Sequence, residues 1–198
     1  MGMMIEDGKG TGRKVGVNSH NQILTHSVVR QEIEQASIDG DSFNLNTGLM
    51  TLTSANESGV FFLKNTNPEK DIFLTSIIVI LGPSTGGSST DTVRFRIYKN
   101  TTSGTLVSNA VALAANSNRN FGSSKILTAL GYKGDEGYTI TNGEVHIESL
   151  ISPGNRAPIA LQEVLKNGNS IAISLEPQDS NTSMKCMIAI PCYQKDPE

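Results

Sequence analysis

Three stretches carry residue types whose spacing invites a chemical reading. Glu144, His146 and Glu148 alternate along one segment and would share a strand face, offering nitrogen and oxygen donors of the kind that hold a transition metal. Same-face neighbours lie roughly 6.6 Å apart, so one unbent strand cannot bring all three onto an ion. No second cluster completes the set, and a solvated strand face with no metal is expected. Gly82 and Gly87 have the spacing of a phosphate loop, but Ser88 stands where Lys is required and a strand follows where a helix N-terminus is needed. Gly8, Gly10 and Gly12 miss the dinucleotide fingerprint, since Arg13 occupies the position of its third glycine and no strand precedes it. Cys186 and Cys192 lie six residues apart on what reads as one strand. That separates them by roughly 20 Å, beyond the about 7 Å a disulfide spans, so buried free thiols are expected. His20 and His26 have no identifiable partner, and no G-x-S-x-G elbow occurs, so no enzyme activity and no cofactor are expected. The sequons at Asn56, Asn100 and Asn181 read as turn chemistry.

Positioning any of these residues falls to the secondary structure, and composition favours strands. A chain of 198 residues suffices for one well-filled domain. Charged residues make up 18% of it, Trp is absent, and Gly, Ser, Thr and Asn are abundant, a balance that suits many short strands and turns. A net charge of -3 with scattered Lys and Arg argues against nucleic acid as a partner. The start MGMMIEDGKG is no secretory signal, and the longest apolar run, Ile77 to Leu81, is too short to span a bilayer. A soluble protein made in a cytoplasm and without a membrane partner is expected. Gly2 does not complete a myristoylation motif, because Glu6 stands where Ser or Thr belongs.

Residues 1 to about 27 are glycine-rich and carry Lys9, Arg13 and Lys14, with apolar residues only at Val15, Val17, Ile23 and Leu24. Such a segment cannot offset its own ordering entropy and reads as an arm. Val29, Ile33 and Ala36 give one short helix pattern, ended by Asp39 and Gly40. The expected division is therefore an arm with a short helix over residues 1–40 and a β-sandwich over 41–198.

Strands are expected at Leu49 to Thr53, Val60 to Leu63 and Asp71 to Leu81, the last apolar on both parities and so central and covered on both faces. Val93, Phe95 and Ile97 should face inward, with Arg94 and Arg96 outward. Further strands are expected near Leu106, at Lys125 to Leu127, Tyr138 to Thr141, Val145 to Ile151 and Ile159 to Leu165. Without long crossover helices the sheet must be antiparallel, and a jelly-roll-like sandwich fits best. Phe61, Phe62 and Phe73 are assigned to the core. The C-terminal stretch, Leu165 to Tyr193, reads as a hairpin. Ile171, Ile173 and Leu175 form one inward set, Met184, Cys186, Ile188 and Ile190 the other, and pairing should weaken at Pro191.

The segments GLMTLTSANESGVFFLKN (48 to 65), ILGPSTGG (80 to 87), NRNFGSSKIL (118 to 127), YKGDEGYTITNGE (132 to 144) and the C-terminal stretch resemble structural proteins of tailed-bacteriophage particles, of the capsid decoration or cement type. The resemblance implies a virion component, a homotrimer bound to the major capsid protein on the outside of the head, where it fastens neighbouring capsomers. Lys9, Arg13, Lys14, Val15, Val17, Ile23 and Leu24 would then form the capsid-binding arm. A tail, fibre or receptor-binding module is the alternative, with Tyr98, Tyr132, Tyr138 and Tyr193 as the aromatic tips for a glycan.

Overall fold

A computed structural model describes residues 31–53, 56–85, 92–101, 118–134, 136–178 and 183–197, and the backbone of 16–17, 23–24, 103–105 and 111–112. Contacts divide the chain into two units, Met1–Gln31 and Glu32–Glu198. In the first, β1 (Gly16–Val17) and β2 (Ile23–Leu24) pair antiparallel, Gly16 opposite Leu24 and Val17 opposite Ile23.

The second unit opens on α1 (Glu32–Asp39). Glu32 and Glu34 in its first turn suit the positive end of the helix dipole. Gly40 ends it, at φ 76°, a left-handed conformation that costs glycine nothing. Ala36 is the buried residue of the helix, which packs on β15 and β3.

Thirteen strands follow: β3 (Ser42–Asn46), β4 (Met50–Leu52), β5 (Ser58–Asn65), β6 (Asp71–Leu81), β7 (Val93–Lys99), β8 (Ser103–Thr105), β9 (Val111–Ala112), β10 (Ala129–Lys133), β11 (Thr139–Thr141), β12 (Glu144–Ile151), β13 (Arg156–Leu165), β14 (Ser170–Pro177) and β15 (Met184–Lys195). Eleven of them form an all-β sandwich of two antiparallel sheets, and β8 and β11 pair with each other apart from these. One has the order β12-β7-β14-β5-β10-β9, the other β13-β6-β15-β3, with β4 also on β15. Between the sheets lies one core. Val93, Phe95, Ile97, Ile171, Ile173 and Leu175 enter it from the first sheet, and Phe43, Leu74, Ile77, Val79, Ile188 and Ile190 from the second. Asn142 (φ 57°) and Gly143 (φ 95°) form the two-residue turn from β11 to β12, where positive φ at both positions suits Asn-Gly.

The C-terminal stretch departs from the expected hairpin. β14 lies between β7 and β5, whereas β15 lies in the opposite sheet between β6 and β3. Matching apolar faces therefore meet across the core rather than side by side, and the connection crosses between layers. The inward sets are as expected, and β15 loses register with β6 between Ala189 and Cys192, around Pro191.

In β6, central as expected, the apolar double parity has a different cause. Register shifts against both β13 and β15 change the inward parity within the strand, from Ile72 and Leu74 to Ile77, Val79 and Leu81. Phe73, Ile78 and Ile80 are left half-buried on the outer face, so Phe73 is no core residue. Phe61 is in the core, while Phe62 is buried on the outer side of its sheet with Ala172, Tyr98, Tyr132, Tyr138 and Ile140. The strand expected at Lys125 to Leu127 is absent; β10 begins at Ala129. Ser123 Oγ accepts from the Lys125 N–H at 3.2 Å and Asn118 Nδ2 donates to its carbonyl at 3.0 Å, taking the backbone groups that a ladder would use. Leu106 lies outside the described residues.

Candidate docking face and polar lattice

The Glu144, His146 and Glu148 alternation does not survive folding as one face. β12 shifts register against β7 between Val145 and Ile147. Glu144 pairs with Lys99 at 3.1 Å and Glu148 with Arg96 at 2.8 Å, while His146 Nε2 meets Glu163 Oε1 of β13 at 2.8 Å, linking the edge strands of the two sheets. Among the described residues no group of three His, Cys, Asp or Glu is placed to hold a metal. Cys186 and Cys192 are both buried thiols, with no disulfide between them. Burial pushes the Cys192 thiol up to about 12 against the opposing charge of Arg119, so little thiolate exists to act as a nucleophile. Lys9, Arg13, Lys14 and Val15 lie outside the described residues, as do 86–91 of the glycine loop; Val17, Ile23 and Leu24 fall in β1 and β2.

Tyr98 and Tyr193 are engaged rather than presented. Tyr193 Oη donates to Glu32 Oε2 at 2.8 Å, and its ring stacks on Phe73 with centroids 4.9 Å apart. Tyr132 stacks on Phe62.

Glu57, just before β5, is a hub that sequence alone does not reveal, because its partners come from two strands far along the chain, β7 and β14. Its Oε1 accepts from Tyr98 Oη and Ser174 Oγ at 2.5 Å each, and Arg96 Nη1 donates to its Oε2 at 2.9 Å. Arg96 also reaches Glu148 and Glu176, and Arg94 Nη1 donates to Glu176 at 3.2 Å. Burial opposes the charge on Glu57, but the hydroxyls of Ser174 and Tyr98 and the guanidinium of Arg96 outweigh it and hold the carboxyl below its usual value. Burial and Glu57 push the Tyr98 phenol up. Each charge is answered within the lattice, which ties β12, β7 and β14 across their outer face.

A depressed folded-state value means that ionised Glu57 stabilises the fold above its unfolded value of about 4.3, and that this contribution is lost as pH falls through the folded value. Glu57→Gln is expected to cost about 1 kcal/mol at pH 7, discounted from ~1.5–3 kcal/mol for charge-assisted bonds because of solvent screening. The loss relative to wild type should shrink towards pH 3. Urea midpoints at both pH values measure it; a constant difference would contradict the assignment.

The outer face of the second sheet offers the other feature. Where β6 and β15 lose register, Thr75 Oγ1 donates to the Pro191 carbonyl at 3.1 Å. Beside it runs a groove of about 620 Å³ with Thr75, Ile78, Asn44 and Pro191 as its lining from the sheet, Ile33 from α1, and Asn118, Arg119 and Phe121 from the 118–123 loop. That loop is fixed. Asn118 Nδ2 donates to the Gly40 carbonyl at 2.7 Å, Asn120 Nδ2 to the Ile38 carbonyl at 2.9 Å, and the Arg119 N–H to the Ser42 carbonyl at 2.9 Å. Phe121 at its tip is nonetheless wholly exposed, at 101%. A large aromatic ring standing in water on an anchored loop is the kind of feature found at interfaces. Its only sequence signal is a Phe set among Asn, Arg and Gly in NRNFG. Comparison with protein-family models and with curated proteins finds no match.

Proposed function

We propose that the chain is a structural protein of a tailed-bacteriophage virion that binds the outside of the capsid and stabilises it by bridging capsomers. The observation that carries this reading is the division at Gln31/Glu32, which also separates charge. Residues 1–31 hold four Lys and Arg against two Asp and Glu; the remainder hold twelve against seventeen. A basic arm on an acidic sandwich suits a tether drawn to an acidic surface. Support also comes from the polar lattice, whose charges are spent on the fold, and from the winding, in which β5, β6 and β7, then β12, β13, β14 and β15, alternate between sheets in the manner of a jelly roll.

Binding the assembled shell but not its dissociated subunits would shift the equilibrium towards assembly. The major capsid protein is the partner, the head exterior the location and the host cytoplasm the site of synthesis. Deleting residues 1–27 is expected to leave a cooperatively folding sandwich that no longer co-sediments with purified heads. Retained binding by the truncated protein would overturn the role of the arm; binding of the full chain to tails instead of heads would favour a fibre or receptor-binding module.

A further inference from the structure

We infer that the hollow between α1 and the last residues of β15 is a binding site for a small amino alcohol, an ammonium with a hydroxyl on the neighbouring carbon. Its volume is about 250 Å³, below the roughly 300–1,000 Å³ of pockets for drug-sized ligands. The occupant is therefore small. Gln194 of β15 lines the hollow and is only 5% exposed, yet its side-chain Nε2 is buried without a hydrogen-bond partner. Among the described residues it is the one buried side-chain nitrogen or oxygen left so. An unpaired buried donor is costly, and an oxygen atom entering the hollow beside it removes that cost.

Charge specifies the rest of the ligand. Glu32 and Asp39 of one face of α1, with Asp41 and Asp196, line the hollow against Lys70 and Lys195. Lys195 pairs with Glu32 at 2.9 Å, while Asp41 is met by Lys70 at 3.2 Å and by Lys125 at 2.9 Å. Asp39 accepts from the neutral Gln35 Nε2 at 3.0 Å. Neither Asp39 nor Asp196 has an ion pair among the described residues. The wall therefore calls for a cation. No three of its carboxylates converge as metal ligands do, which favours an ammonium, whose three donors can meet carboxylates singly. One small molecule that answers both the amide donor and the carboxylates carries a hydroxyl oxygen beside an ammonium. This inference is independent of the capsid reading.

Chemical-shift titration of the full chain by nuclear magnetic resonance tests it, with ethanolamine and D-glucosamine as ligands. Both should shift the Gln194 side-chain amide saturably. Ethylamine, which lacks the hydroxyl, should bind about tenfold more weakly than ethanolamine, and D-glucose, which lacks the ammonium, about tenfold more weakly than glucosamine. Tighter binding of glucosamine would assign the ligand to amino sugars, and tighter binding of ethanolamine to an open-chain amine such as a lipid headgroup; either supports the site. Gln194→Met should erase the advantage of the hydroxyl, and Asp39→Asn should reduce that of the ammonium, with folding checked by circular dichroism. No saturable shift with either amino alcohol, wild-type binding of ethylamine as tight as that of ethanolamine, or a hydroxyl advantage that survives Gln194→Met would overturn the proposal.

Discussion

Ile188→Asp is expected to give no folded protein. Ile188 is fully buried at the middle of β15, paired with Val79 of β6 and facing the first sheet across the core. A carboxylate there must stay charged without a partner or take up a proton, and either alternative costs several kcal/mol on top of the lost apolar contacts. Domains of this size hold about 5–15 kcal/mol in total. The neighbouring Met187 is half-buried on the other face of β15, and Met187→Asp is expected to fold. Soluble yield and urea unfolding followed by circular dichroism compare the two. An Ile188→Asp protein that unfolds cooperatively at the wild-type midpoint would contradict the core assignment.

Phe95→Ala should cost about 3–5 kcal/mol, the range for emptying a buried Phe site. Its ring is fully buried on β7, between β12 and β14, in a sandwich core that cannot collapse around it without moving both sheets. Phe73→Ala should cost less, about 1–2 kcal/mol, because that half-buried ring loses mainly its stack on Tyr193. Chemical denaturation of the pair ranks them; equal losses would mean that the outer face of β6 is as closely packed as the core.

Strand alternation is what the sequence expresses most clearly. Val93, Phe95 and Ile97 against Arg94 and Arg96 has the period that burial on one face imposes, and the structure repeats it residue by residue. The inward sets of β14 and β15 are legible for the same reason, but their pairing is not. Two strands with apolar faces bury them equally well side by side or across a core, and only the rest of the sheet, β5 and β7 around β14 and β6 and β3 around β15, decides between these. Register shifts defeat parity arguments outright, as in β6 and at Val145 to Ile147, where one irregularity sends His146 to Glu163 and Glu148 to Arg96. The groove and Glu57 are less legible still. Each draws on segments far apart in the chain: Ile33, Ile78, Phe121 and Pro191 in one, Glu57, Arg96 and Ser174 in the other. Spacing within any one segment carries no trace of them.

Reconstruction by electron cryo-microscopy of phage particles assembled in the presence of this protein tests the central claim most directly. The account predicts density for the two-sheet body on the outside of the head, with residues 1–31 running onto the major capsid protein. Bare heads with the body on the tail or tail fibres, or particles lacking the chain altogether, would contradict it.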